Sequence, residues 1–486
     1  MALDRIEHIV FLMLENRSFD QMLGYLSRED TPNRLQLEGL QANEAWLSAT
    51  ANYEEAGGRP HRSKLIASTL KIDDPPHGWR RVPKQMATPS NIPGPRTMGG
   101  FVKTYVDAWE EDDNRRPADP GAVMGYYDAN SVWAYNFLAR NYCVCDHWFT
   151  PLPTGTQPNR LMGMGGHTSI RKNKKPFIPK HDLVYNWLNR NDVDWAVYRW
   201  GGNLPFFALM PAWWDDILES EIGDGKFKKF DRLREDWRPG GEAPPVLFIE
   251  PAYSELRGER ANDDHAPTRI TGGQLLVADL YDILTSNAAR WAKTLLIITY
   301  DEHGGFFDHV EPLRIEKQVD EHRFETTGPR VPALLVSPFV DPGQVWSEPV
   351  DHTAFLSLLA EKFSRSGTPY SEHVSTRQSS YQGFGRLSAA LRPTARSGPP
   401  PGLPRPLTVR LGSAFQAIGL ALPGRGAVDA APTARTPTAI AFDKAARRTA
   451  EKRPDLPARE DWDGLRWQLA HPLPDGPEQD DHIGDE

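Results

Sequence analysis

The sequence predicts an α/β fold, a doubly wound, mostly parallel sheet with long inserted loops and a C-terminal extension. Three observations predict it. Four apolar, β-branched runs stop abruptly at polar or turn residues, helical patterns lie between them, and two of the runs end in adjacent residues of metal-ligand type. The 486 residues suit one large domain with an appendage, or two domains. With 39% hydrophobic residues, including 15 Trp and 20 Phe, the chain can build a sizeable core, which excludes global disorder.

In chain order, the first run, residues 6–14, precedes Glu15-Asn16 and the second, 246–249, precedes Glu250-Pro251. The third, 295–300, precedes Asp301-Glu302 and the fourth, 333–336, precedes Ser337-Pro338. Continuous hydrophobicity marks strands covered on both faces. Helical patterns span 273–286 and 352–363. In such sheets the site lies beyond the carboxyl ends of the strands. Residues 27–120, rich in Pro, Gly and charge, read as long loops over the sheet. The catalytic domain is expected at 1–378. Residues 379–486 read as an extension, Pro-rich over 392–406, Ala/Pro/Thr-rich over 427–437, and acidic and disordered over the last dozen residues.

A net charge of -9 gives no electrostatic footprint for nucleic acid and no general attraction to an anionic membrane. Cys143 and Cys145 flank one residue, too close along a strand to bridge easily, and no second pair completes a zinc knuckle. Two reduced cysteines near a buried strand suit a cytoplasmic home. The first apolar run has no basic leader and is too short to span a bilayer. The chain as written is therefore expected to be cytoplasmic, and secreted or periplasmic if a leader was removed. No other stretch approaches a transmembrane segment.

Four constellations carry chemistry. Glu15-Asn16 offers a carboxylate and an amide oxygen at a strand end, hard ligands for a divalent cation; a turn or helix cap would use the same residues. Asp301-Glu302-His-Gly-Gly-Phe-Phe-Asp308-His309 follows a strand, and its glycines let the backbone bend so that acids can converge; a surface loop of solvated acids is the plainer alternative. In Thr156-Gln-Pro-Asn159-Arg160, a hydroxyl stands near an arginine that could span two phosphate oxygens, although a turn capping a helix explains it equally well. His77 and His265 lie beside prolines and could touch phosphate or protonate a leaving alkoxide, while a lone histidine is more often a surface or core residue. Asp263 or Asp264 is expected to raise the pKa of His265 and keep it protonated. In Asp351-His352-Thr353, Asp or Thr could simply cap a helix.

These residues resemble a known family. ENRSFDQMLG from Glu15, TQPNR from Thr156, DEHGGFFDHV from Asp301 and GPRVPALLVSP from Gly328 are similar, in order, to signatures of the phosphoesterase family of non-specific phospholipases C and certain acid phosphatases. The resemblance covers about residues 6–363 and implies a fold of the alkaline-phosphatase-like type. It implies that Glu15, Asn16, Asp301 and Glu302 hold one divalent metal ion. It makes Thr156 the nucleophile and matches His77 and His265 to histidines on the phosphate side. Asp308 and His309 belong to the same motif without assigned roles. One departure is Phe339, where many relatives have Trp; another is the missing export leader.

The implied function is metal-assisted hydrolysis of phosphate esters through a phosphothreonine intermediate, as in a phospholipase C acting on a diester. The alternatives are an acid phosphatase acting on monoesters and a non-catalytic binding protein on the same fold. The implied partner is a phosphate-ester substrate, including phospholipid at a membrane surface, and not nucleic acid.

Overall fold

A computed structural model of the chain describes residues 2–91, 97–173, 178–200, 206–210, 225–253, 261–319, 321–381 and 383–406. The expected Ala/Pro/Thr-rich and acidic tracts lie outside the described residues.

Eight strands make the main sheet: β1 (His8–Leu14), β2 (Cys143–Cys145), β3 (Trp195–Arg199), β4 (Phe227–Lys229), β5 (Val246–Glu250), β6 (Thr294–Tyr300), β7 (Ala333–Val336) and β8 (Gln344–Trp346). Their spatial order is β8-β2-β7-β6-β1-β5-β3-β4. All four expected runs are strands, and β1 and β6 hold the centre. Both are almost wholly buried, as continuous hydrophobicity requires of strands covered on two faces. Every neighbouring pair is parallel except those of β7, which runs antiparallel to β6 and β2. The reason lies in the connection. After β6 the chain stays at the carboxyl end, builds the hairpin Arg314–Val319 with His322–Thr326, and enters β7 from that same end.

The two expected helices form as Thr271–Ser286 and Thr353–Phe363. The strand at the cysteine pair forms as β2, whereas β3, β4 and β8 were not expected; their residues mix apolar with polar or charged side chains and give no continuous apolar run. Residues 27–120 depart from the loop expectation in the short helices Glu44–Ala49 and Val82–Met86, the strand Lys64–Leu65 and, at greatest length, the helix Phe101–Asp113. Its Phe101, Val102 and Tyr105 pack with Met98, Val123 and Phe307 in a small core of their own. A charged C-terminal half and a glycine in place of a side-chain N-cap conceal it in the sequence.

The start of the expected extension is packed against the domain. Arg392 N donates to Phe339 O (2.7 Å), Tyr281 Oη to Pro401 O (2.7 Å), and Arg405 pairs with Asp279 and Asp282. Upstream, Asp351 does cap its helix, accepting from Thr353 N (2.8 Å). Its other oxygen accepts from Arg377 Nε (2.6 Å) and Tyr381 Oη (2.8 Å), all of it buried. Burial alone would raise the Asp351 carboxyl, but Arg377 and the hydrogen bonds outweigh burial and hold it below the usual carboxylate range. A depressed folded-state pKa stabilises above the unfolded value and is lost as pH falls through the folded one. Arg377→Met should therefore cost about 3–5 kcal/mol in urea titrations at neutral pH, because it strands a buried carboxylate. The deficit should shrink as pH drops below about 4, where Asp351 in the variant is neutral. A deficit independent of pH would show that Arg377 acts by packing alone.

Candidate active site

The register of β1 on β6 builds the site. Leu14 pairs with Tyr300, so the two strands end level, and Glu15-Asn16 emerges beside Asp301-Glu302. Asp301 N donates to Leu14 O (3.0 Å), Arg17 N to Glu302 O (3.1 Å) and Asn16 N to Asp301 Oδ1 (3.2 Å). Asn16 takes a left-handed conformation (φ 62°), which turns the chain at the strand end. Gly304 (φ 65°) permits the return: a Cβ there would lie 2.2 Å from Asn16 O. On the other side of β1, the loop after β5 closes in, with Glu15 N donating to Asp263 O (2.8 Å).

Thr156 opens the helix Thr156–Gly165, with Gly155 as its N-cap. The turn before it is tied down by Asn159, whose Oδ1 accepts from Leu152 N (2.9 Å) while Nδ2 donates to Thr154 O (2.7 Å) and Gly155 O (3.1 Å). Asn159 thus ties down the turn that leads into Thr156. A Cβ on Gly155 would lie 3.7 Å from His77 Cδ2, so the start of this helix lies beside His77. Four residues on, and so on the same helix face, stands Arg160.

Arg160 departs from the expectation of a phosphate clamp. Its Nε donates to Asp301 Oδ2 (3.2 Å), and one terminal nitrogen lies 3.4 Å from Glu15 Oε1 and donates to Met13 O (3.3 Å) and Leu14 O (3.4 Å). The guanidinium is stacked over by Phe206 and Tyr253. It is a buried counter-ion that bridges Glu15 and Asp301, one carboxylate from each strand end.

His77 and His265 meet edge to face, with ring centroids 5.7 Å apart. Each donates from Nδ1 to a main-chain carbonyl, His77 to Pro75 O (2.7 Å) and His265 to Ala266 O (2.5 Å). That leaves both Nε2 atoms turned to the site, and both face Asn16 Nδ2, at 3.4 Å and 2.6 Å. The expectation of a protonated His265 is corrected. Burial, then His77, pushes its pKa well below the ordinary value. Neither aspartate reaches the ring, since Asp263 Oδ1 accepts from His265 N (3.2 Å) and Asp264 Oδ2 from Tyr135 Oη (2.8 Å) and Tyr300 Oη (2.7 Å).

Asp308 and His309 stand apart from this cluster. Asp308 pairs with Arg330 (2.9 Å) and His309 Nδ1 with Asp20 (2.7 Å); Arg330 also reaches Asp20 (3.2 Å) and the carbonyls of Glu38 and Asp146. The two glycines send the first half of the motif toward the site and the second half into a neighbouring ion-pair cluster.

Several contributors were missed. Asp263 sits directly before Asp264-His265, and the paired acids were the available signal. Asp74 Oδ1 lies 3.8 Å from His77 Nδ1 and 3.9 Å from His265 Nδ1. His352 donates from Nε2 to Asp301 O (2.8 Å) and accepts from Trp148 Nε1 (2.9 Å), so it braces a ligand strand end; burial takes its pKa down to about 4. Its place at a helix start gave no signal of this.

The donor set fits a cation. Glu15 Oε1 and Oε2, Asn16 Oδ1, Glu302 Oε1 and Asp263 Oδ2 are buried without a hydrogen-bond partner. All are oxygens, the hard ligands of divalent ions of the magnesium, manganese or calcium kind. Burial raises every carboxyl of the group: Glu15 goes well above its ordinary range, Asp301 rises, and Glu302 and Asp263 reach about 8. Ionised together, four buried acids facing one arginine would carry an excess of negative charge, which burial disfavours and a bound cation would balance.

The phosphoesterase family model matches residues 6–365, and the chain belongs to that family. It is 30% identical over 367 residues to non-specific phospholipase C6 of Arabidopsis thaliana, across 71% of this chain and 64% of that protein. It therefore spans a little less than two thirds of that relative's length. Phospholipase C B of Mycobacterium tuberculosis is 28% identical over 407 residues, across 74% of this chain and 73% of its own. Among solved structures, the phosphonate monoester hydrolase of Agrobacterium radiobacter aligns at 13% identity and a TM-score of 0.32, across 60% of this chain and 78% of that one.

Gly304→Ala forces a Cβ onto Asn16 O and should displace the Asn16 side chain. Divalent-cation affinity, read by titration calorimetry, is expected to fall about 10–100-fold. Unchanged affinity would place the cation elsewhere.

Proposed function

We propose that this chain hydrolyses phosphate esters through Thr156, with the phosphodiester of a phospholipid as substrate, in the manner of a phospholipase C. The observation that supports it most is the placement of a threonine hydroxyl at the N-terminus of a ten-residue helix whose next turn, at Arg160, is bonded to Glu15 and Asp301. A hydroxyl, an array of unpartnered acidic oxygens and two imidazole Nε2 atoms then share one buried end of the sheet. The names of the relatives support the diester reading.

Glu15, Asn16, Asp301 and Glu302 would hold one divalent cation, whose charge favours the ionised hydroxyl and neutralises the phosphate. Thr156 Oγ1 forms a bond to phosphorus as the bond to the leaving alkoxide breaks in line. The helix N-terminus faces the phosphate with its partial positive charge. His265, held neutral by burial, presents Nε2 to take up the proton that the Thr156 hydroxyl loses as Oγ1 bonds to phosphorus, and His77 presents its Nε2 beside it. That proton goes to the leaving oxygen, and Nδ1 stays bonded to its carbonyl throughout. Water then cleaves the phosphothreonine and restores the hydroxyl.

Phosphatidylcholine, a chromogenic diester and a chromogenic monoester should be assayed side by side with added divalent ions. Diester hydrolysis is expected to lead, and faster monoester turnover would move the reading to a phosphatase. Thr156→Ala should lose activity by several orders of magnitude while retaining cation affinity, and Thr156→Ser should keep part of it. Wild-type rates in Thr156→Ala would rule out the covalent route.

A further inference from the structure

We propose that the turn carrying Leu65 and Leu70 is a docking surface for an anionic phospholipid bilayer. The proposal rests on the lipid-hydrolysing reading above and extends it to how the enzyme meets its substrate. Among the described residues, the exposed large apolar side chains are Leu65 (56% exposed) and Leu70 (41%). Isolated surface leucines are ordinary. Here, however, the two fall on one short segment, Leu65 ending the strand Lys64–Leu65 and Leu70 closing the turn after it by donating from N to Ala67 O (2.9 Å).

The turn is held out by its neighbours. Ile66 and Ile72 are buried in the main core, and Ile66 N donates to Tyr126 O (2.9 Å). Lys64 and Leu65 pair in parallel with Gly125 and Tyr126. The core therefore fixes the base of the turn while both leucines point away from it. Lys64 and Lys71 bracket the leucines. Lys64 pairs with Asp119, while Lys71 has no ion pair among the described residues. Leucines at a tip with lysines one residue outside them match the layering of a bilayer surface, acyl chains below and anionic headgroups at the level of the amines. On a chain of net charge -9, with Lys64 engaged by Asp119, Lys71 is the amine of this segment left to meet an anionic headgroup.

The turn also lies close to the chemistry. Lys71 is six residues from His77, a span of at most roughly 20 Å even if fully extended. From the other side, the segment that pairs with the turn leads to Val123, whose carbonyl accepts from Phe307 N (3.0 Å), in the loop that begins with Asp301 and Glu302. Shallow insertion of the leucines would thus bring headgroup phosphates toward the site without a transmembrane element. No helix among the described residues is long and apolar enough to cross a membrane.

The test compares the full-length protein with the double variant Leu65→Ser/Leu70→Ser and with Lys71→Glu. Sedimentation with vesicles of phosphatidylcholine doped with phosphatidylserine reads binding. Hydrolysis of a short-chain phosphatidylcholine, kept monomeric, reads the catalytic site and the fold. The double variant should lose about tenfold or more in vesicle partitioning and keep monomer hydrolysis. Lys71→Glu should lose binding to the anionic vesicles, and the wild-type advantage should shrink with salt. As a second measurement, Leu70→Cys carrying an environment-sensitive dye should shift toward an apolar signal on vesicles. Vesicle binding insensitive to both leucines overturns the proposal even if monomeric lipid is cleaved. Leucine-dependent self-association without lipid overturns it too, since the surface would then serve a second copy. If the wild type cleaves no lipid yet sediments in a leucine-dependent way, the docking surface stands and the choice of substrate falls.

Discussion

The level ending of β1 and β6 is the constraint on which the rest of the molecule depends. With Leu14 opposite Tyr300, the two central strands release Glu15-Asn16 and Asp301-Glu302 at one height. A one-residue slip would turn every side chain of a strand to the opposite face and separate those pairs. Such a register needs burial on both faces to enforce it, and the continuous apolar character of the two strands supplies that. The site is thus a by-product of core packing, and its geometry is as stiff as the sheet beneath it.

Concentrating carboxyl groups at a dry strand end creates an electrostatic problem, and the fold answers it in layers. Arg160, on a helix beneath the sheet end, spans Asp301 and Glu15. His352 and main-chain amides bind the remaining acceptors of Asp301 and its neighbour, as in the bond from Glu302 N to Asp301 Oδ1 (2.7 Å). What remains unanswered is the set of oxygens on Glu15, Asn16, Glu302 and Asp263. A stable core would not leave so many acceptors unpaired, which is why the residue set reads as a binding site and not as packing.

Much of this was legible in the sequence, for a physical reason. A buried parallel strand must be apolar along its length, so the point where apolar character stops marks the sheet's edge, and the residues just beyond it are those the edge presents. Glu15-Asn16 and Asp301-Glu302 were legible on that ground, and Thr156, His77 and His265 by resemblance to a family. The direction of β7 was not legible, because it depends on which end of the sheet the preceding loop occupies. Arg160 illustrates a second limit. Its side chain is long enough to face substrate or core, and only the position of Glu15 and Asp301 decides between them. The protonation of His265 illustrates a third: two adjacent aspartates suggested a charged ring, but their carboxyls turn to an amide and two tyrosines, and burial rules the imidazole. Asp308 and His309 share a motif with Asp301 yet lie beyond two glycines, where sequence proximity no longer implies spatial proximity.

The Arg330 cluster has a consequence for how the protein moves. Its guanidinium gathers Asp20, Asp308 and the carbonyls of Glu38 and Asp146, and the carboxylate of Asp20 holds His309 in turn. These residues come from five stretches of chain, from Asp20 to Arg330, all stitched to one cation. Any fluctuation that lifts the loop after β6, and with it the acids beyond Tyr300, must therefore pull on the loop after β1, the segment around Glu38 and the end of β2 together. Amide protons in those four regions should exchange with solvent as one cooperative unit, at a rate set by a large opening of the molecule and not by the private motions of each loop.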